Sequence, residues 1–407
     1  MSEHAGSAGA PLWSAEEISA AAAAMSERVV ELRRKIHSRP ELGLENPITQ
    51  ALVVAALERA GIDGVRRGND CTWVTADIHG TADGPGKGRC VALRSDTDAL
   101  PLDEHGDEPF ASSIDGRMHA CGHDGHVAML VGAAELLHAN RHRFAGTVRV
   151  LFQPGEEGFG GARIMIDAGA LEGVSAAFAI HLQPSADPHV VAWRAGAFLA
   201  AFDDFSVVFR GAGGHASSPH STRDPVPAIG PLVDGLSHVV ARETDPDDRV
   251  VISVTQVRAG TKENVIPPSV ECGGTIRSIS RAGGERAREQ LERVAVGIAH
   301  ARGLEVDVEV RPGYPPTVND EGVVKRVAGV AGELGLVTAH MPSTYMGAED
   351  FSYVLERVPG AMVFLGCGVE GGGPLHSDRM KIDESVLSSG VALHTLVSLQ
   401  LLAGKVV

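Results

Sequence analysis

The stretch RCVALRSDTDALP, residues 89–101, sets the frame for the chain. Its apolar run around Val91 to Leu93 reads as a buried strand, and polar residues follow where that strand gives way to a loop. The same order recurs downstream. GHVAMLVGAAELLHANR (125–141) reads as a helix, GTVRVLFQP (146–154) as a strand and VSAAFAIHL (174–182) as another. This rhythm predicts an α/β domain with a mixed, mostly parallel sheet and helices on both faces. In such sheets chemistry gathers where strands end. The clusters RSDTDALP (94–101), FQPGEEG (152–158) and AIHLQP (179–184) all fall at strand exits.

The pattern changes near residue 200. DDFSVVFRG (203–211) alternates like a half-exposed strand, and DPVPAIGPLVDGLSHVVARE (224–243) reads as a helix opened by Asp224 and Pro225. Two strands, RVVISVTQVRAG (249–260) and SVECGGTIRSI (269–279), an amphipathic helix at 283–303 and the strand LEVDVEVRPG (304–313) complete a βαββαβ, ferredoxin-like α+β unit. It spans 200–311 and is inserted, because βα-type sequence resumes with AMVFLGCG (361–368) and LSSGVALHTLVSLQLLA (387–403). The expected division is a leader and helix start at 1–27, one discontinuous domain at 28–199 and 312–407, and the insertion. Ser14 is the expected N-cap of a helix running through 14–41, with Glu16 and Glu17 in its first turn.

A formal net charge of −16 argues against a nucleic-acid partner, which calls for a basic face, and against docking on anionic lipid. No apolar run approaches the roughly 20 residues of a bilayer span. The acidic N-terminus, MSEHAGSAGAPLWSAEE, lacks the basic and apolar regions of a signal peptide. Five scattered cysteines make an odd count, so a disulfide framework is not expected and a reducing cytoplasm is the simpler setting.

MHACGHDGH (118–126) places Cys121 and His123 either side of Gly122 at the mouth of a helix. Thiolate and imidazole suit a borderline-soft divalent ion such as Zn²⁺, although a buried cysteine beside a capping histidine would look the same. Glu156 and Glu157 lie just past a strand. Adjacent carboxylates repel unless a cation or a shared proton relieves them, so either one binds metal while its neighbour serves as general base, or the pair is a solvated acidic turn. His181 ends its strand, and His376 follows a glycine run in GGGPLHSD (371–378). As a set, Cys121, His123, Glu157, His181 and His376 offer five ligands for two metal ions. Asp96 and Asp98 share one side of an extended segment, where one or both would accept the second N–H of a ligating histidine, His123 first of all; an ordinary strand terminus is the alternative. In the insertion, His215, Asn264 and Arg277 are the residue types that bind an oxyanion and a carboxylate.

MHACGHDGH, FQPGEEGFGGA, GGHASSPH, NVIPPSVECGGTIR and GAEDFSYVLERVPGAMVFLG together resemble the M20 metallopeptidases, most of all the aminoacylase branch with hippurate hydrolases and auxin-conjugate amidohydrolases. The resemblance runs from RRKIHSRPELGLEN to LHSDRMKIDESVL. It implies a catalytic domain split by a lid that often also dimerises. By position it makes Cys121, His123, Glu157, His181 and His376 the metal ligands, with Cys121 where other branches carry a bridging aspartate. Glu156 matches the general base. Asp98 matches a ligand-supporting aspartate, and Asp96 stands where other branches have a histidine ligand. His215 resembles a lid histidine that reaches into a partner subunit's site; Asn264 and Arg277 resemble substrate-binding residues. Softness favours Zn²⁺, whereas the resemblance also implies Mn²⁺. His126 is assigned to packing or support, and His119 is left open.

The expectation is a cytoplasmic, metal-dependent amidohydrolase that cleaves a small N-acyl amino acid to a carboxylic acid and an amino acid, as a homodimer or higher oligomer through the lid. Rivals are a dipeptidase or an N-carbamoyl amino acid hydrolase and, from another class, a metal-binding scaffold without turnover.

Overall fold

The computed structural model describes residues 13–68 and 71–404. Residues 1–12 of the expected leader lie outside the described residues. Ser14 caps the helix Ala15–Ala23 through a reciprocal box with Glu17. The single helix expected over 14–41 is two, and the second is Ser26–His37.

The described residues divide into two compact units, the first taking those up to 196, 318–343 and those from 353 on, the second 197–317 and 344–352. The second therefore starts and ends a few residues from the expected 200 and 311, and it takes in a segment, 344–352, that lies far downstream of the insertion.

The first unit is a mixed α/β layer structure around an eight-stranded sheet. Its centre is parallel: Ala145–Gln153, Cys90–Asp96, Val174–Gln183 and Gly360–Gly366 lie side by side in that order. Outside this block the pairing turns antiparallel, at Val74–Thr81 on one side and Val190–Trp193 on the other. Almost every residue of the central strands Cys90–Asp96, Val174–Gln183 and Gly360–Gly366 is buried, so both their faces are covered, which is why they read as continuous apolar runs. Because the four strands run the same way, their C-terminal ends line one edge of the sheet. The chain leaves that edge four times.

The helix Val386–Ala403 is long and apolar enough to cross a membrane, contrary to the expectation that no such run exists; its mean hydropathy is 1.6. It is 78% buried, however, and packs on the helix His123–Ala139 as part of the core.

The second unit is a four-stranded antiparallel sheet in the order Val250–Ala259, Ser269–Ser278, Ala201–Arg210, Glu305–Pro312. With the helices Ile229–His238 and Arg281–Arg302 this is the βαββαβ arrangement read from the sequence. Phe205, Val207 and Phe209 alternate inward from one strand and meet Leu232, Leu236 and Leu291 from the helices. Gly274 sits where strands close in: a Cβ there would lie 1.9 Å from the Ser253 carbonyl oxygen. Gly274→Ala should therefore destabilise the protein by about 2 kcal/mol, within the usual cost of overpacking, read as a lower midpoint in urea unfolding; an unchanged midpoint would refute the close approach.

Candidate metal centre

All the expected ligands belong to the first unit, and each comes from one of the four exits at the sheet edge. After Cys90–Asp96 the chain runs through Asp98 to Cys121 and His123; after Ala145–Gln153 come Glu156 and Glu157; His181 lies near the end of Val174–Gln183; His376 follows Gly360–Gly366. Their donor atoms converge. Cys121, His123 and His181 form one group, and Cys121, Glu157 and His376 another, with all donor atoms of each group within 4.8 Å of one another. Cys121 is common to both. A third group joins His123 with Glu156 and Glu157.

Backbone geometry delivers these side chains. Gly122 starts the helix His123–Ala139 at φ +83°, a left-handed conformation that turns Cys121 and His123 toward the same point. His376 has φ +62°, uncommon for a residue with a side chain, and its N–H donates to the Ala120 carbonyl at 2.8 Å. That bond ties the His376 loop to the Cys121 segment. Glu156 and Glu157 are held by Asp98, whose two carboxylate oxygens accept their backbone N–H groups at 2.9 and 3.0 Å.

Hydrogen bonding fixes which ring nitrogens face inward. His123 Nδ1 lies 2.8 Å from the Asp98 carbonyl and donates to it, which leaves Nε2 buried with no hydrogen-bond partner. His181 Nδ1 likewise donates to the Leu182 carbonyl at 2.7 Å, directing Nε2 to within 3.5 Å of Cys121 Sγ. An inward lone pair on each ring, a thiol and a carboxylate make a donor set that fits a divalent ion. The electrostatics agree. Burial opposes charge on His123, yet Asp96, Asp98 and Glu157 outweigh it and push its pKa up to about 10. The pocket thus favours positive charge at that ring, a demand a bound cation meets. His181 is pushed the other way, to about 3, by burial and by the neighbouring His126 and His123, and is neutral and ready to ligate.

The supporting aspartates differ from expectation in detail. Asp98 supports His123 through its backbone carbonyl; its carboxylate is 3.6 Å from the ring and engaged by the Glu156–Glu157 turn. Asp96 supports His126 instead, with Nδ1 to Oδ1 at 2.6 Å, while His126 Nε2 accepts the Leu182 N–H at 2.8 Å. Both His126 nitrogens are thus occupied, which removes it from the ligand set. The sequence reading missed Arg94, which donates to Asp96 at 2.8 Å and to Gln153 at 2.9 Å. The signal was present: a charge inside an apolar strand, two residues from Asp96 and therefore on its face.

In the second unit, His215 and Asn264 are adjacent. His215 pairs with Val265, and the Ala216 N–H donates to the Asn264 carbonyl at 3.0 Å. Arg277 lies on another strand of that unit, half-buried over the Phe202 ring, and donates to the Met346 carbonyl at 2.8 Å.

Comparison with known proteins shows which family the chain resembles. Residues 92–400 match the model of peptidase family M20/M25/M40. The chain is 39% identical to thermostable carboxypeptidase 2 of Saccharolobus solfataricus, over 91% of this chain and 95% of that protein. It is 41% identical to IAA-amino acid hydrolase ILR1-like 2 of Arabidopsis thaliana, over 93% and 86%. The crystal structure of Bacillus subtilis YXEP protein, described as a dinuclear metal binding peptidase from the M20 family, superposes with a TM-score of 0.82 at 34% identity, covering 93% of this chain and 99% of that one.

Replacing Asp98 by Asn leaves one oxygen to serve two buried N–H groups, at a cost of about 1–3 kcal/mol for the group left unpaired. We expect Asp98→Asn to lower both the urea midpoint and the metal retained after dialysis, measured by mass spectrometry of the elements; wild-type values for both would show that the clamp is dispensable. With a family-model match over residues 92–400 and relatives aligned over most of both chains, this chain belongs to peptidase family M20/M25/M40.

Proposed function

We propose that the protein is a metal-dependent amidohydrolase that cleaves N-acyl amino acids to a carboxylic acid and a free amino acid. One observation carries this: Glu156 is buried beside Glu157 on a turn clamped by Asp98, and Glu157 Oε1 meets His376 Nε2 at 3.3 Å. In this reading Glu157 is the ligand, and Glu156, which shares a third donor group with Glu157 and His123, is the proton carrier. Cys121, His123 and His181 would hold one ion, and Cys121, Glu157 and His376 the other. When bound, the two ions acidify water from a pKa of about 15.7 toward 7 and polarise the amide carbonyl. Glu156 takes the proton of the attacking water and passes it to the leaving nitrogen. The ions are Zn²⁺ or Mn²⁺; the thiol favours the former by softness, and availability decides loading.

His215, Asn264 and Arg277 serve the substrate. His215 Nδ1 accepts the Ser217 N–H at 3.1 Å, which leaves Nε2 as the ring's donor, suited to a developing oxyanion. Arg277 suits the α-carboxylate of the amino acid. In this scheme 28–199 and 312–407 form the catalytic domain, and 200–311 the lid and dimerisation domain. The sheet edges support such a homodimer. The edge strand Glu305–Pro312 presents Glu305, Asp307, Glu309 and Arg311, charges that discourage strand pairing. The opposite edge, Val250–Ala259, exposes Val251 and Val257 and is suited to a second copy. A cytoplasmic setting is part of the proposal, resting on the odd count and scattered positions of the five cysteines.

The similarity to a protein named carboxypeptidase favours a second reading, a peptidase on the same machinery; an N-carbamoyl substrate is a third. A scaffold without turnover gives Glu156 no task. Amine release from N-acyl amino acids, dipeptides and N-carbamoyl amino acids separates these. The metal-reloaded wild type should favour N-acyl amino acids, and Glu156→Gln should keep its metal while losing about 10²- to 10⁴-fold in kcat. Preference for dipeptides or carbamoyl compounds would overturn the substrate class, and an active Glu156→Gln the base. Separately, Val251→Lys with Val257→Lys should give monomers at micromolar concentration in sedimentation velocity; an undisturbed dimer would place the interface elsewhere.

A further inference from the structure

Behind the ligand segment lies a second polar cluster with no part in the chemistry above. Asp124, next to His123 and fully buried, accepts through Oδ2 from Arg33 Nε at 2.6 Å and from His37 Nδ1 at 2.8 Å. Arg33 reaches on to Glu384 at 3.1 Å, and His37 Nε2 meets Glu104 at 3.2 Å. Phe110 covers Arg33 at 4.9 Å from its ring centre and meets the His37 ring edge-on at 5.6 Å. The cluster is closed to solvent: side-chain exposure is 4% for Arg33, 2% for His37 and 0% for Asp124.

Its position is what gives it meaning. The helix His123–Ala139 begins at Gly122, which has no side chain to cap it and no Cβ to restrict it. The roll of its first turn decides where His123 and Cys121 point. Asp124, one residue on, projects away from His123 by about 100°, the angle between successive helical residues. A charged, two-point clamp there sets the roll. A buried ion pair is a poor source of net stability, since desolvation offsets its attraction, but it specifies one geometry well.

We infer that Arg33 and His37, from the RRKIH stretch at 33–37, are positioning residues that act through Asp124 to orient Cys121 and His123 for metal. This rests on the ligand set proposed above. It also gives the aspartate of MHACGHDGH a task that the sequence reading left unassigned.

The test is Co²⁺ titration of the chelated full-length protein by calorimetry and absorption, where a thiolate-to-cobalt band reports how Cys121 meets the ion. Asp124→Asn and His37→Gln should each weaken Co²⁺ binding about 10- to 100-fold, the usual cost of removing a partner behind the ligands, and shift or weaken the band. Circular dichroism establishes which variants fold, and His37→Gln, the milder change, carries the test if Asp124→Asn does not. Lower thermal stability with wild-type affinity and an unchanged band would reduce the cluster to packing and overturn the inference. A wild-type protein that binds Co²⁺ without any thiolate band would overturn the ligand set itself, and this inference with it.

Discussion

Burying three carboxylates and a thiol, with a fourth carboxylate partly buried, around two imidazoles is tolerable only if positive charge goes with them. Asp96, Asp98, Glu156 and Glu157 reach the same end of the parallel strands as Cys121. Arg94 neutralises Asp96 from within the strand. Backbone N–H groups neutralise part of Asp98. What is left over falls on His123, whose ring is driven toward the charged state against the cost of burial. Metal ions bound there would meet the same electrostatic demand.

The parallel sheet is what makes the gathering possible. Four strands that end on one side deliver four loops to one place, so residues as far apart in sequence as Cys121 and His376 meet. Rigidity then comes in layers. His123 and His181 are oriented by backbone carbonyls, Glu156 and Glu157 by Asp98, and His376 by the Ala120 carbonyl. The exception is exposure. Cys121, His123 and His181 are buried, whereas the His376 side chain is 54% exposed, so one ligand group is open on a side where the other is closed.

Much of this was legible in the sequence because strand exits and residue chemistry are local properties. The apolar runs at 90–93 and 174–182 mark central strands, and CxH, EE and the two later histidines mark donors at their ends. The βαββαβ unit was legible for the same reason, through alternation at 203–211 and 304–313. What the sequence withheld was pairing. Nothing local says that Asp96 serves His126 rather than His123, or that the Asp98 carboxylate clamps a turn 58 residues away. Nor does it say that Arg33 and His37 reach Asp124, about 90 residues on. The apolar helix at 386–403 escaped as a membrane-length run because Ser and His interrupt it, and only its packing identifies it as core.

In the proposed centre Cys121 is shared by both metal positions. X-ray absorption at the zinc edge of the protein reloaded with two Zn²⁺ tests it most directly. A shared thiolate predicts about one sulfur neighbour for every ion, at about 2.3 Å, and its disappearance from both in Cys121→Ser. Half that sulfur content would put the thiolate on a single ion, and a spectrum of nitrogen and oxygen neighbours alone would remove Cys121 from the centre.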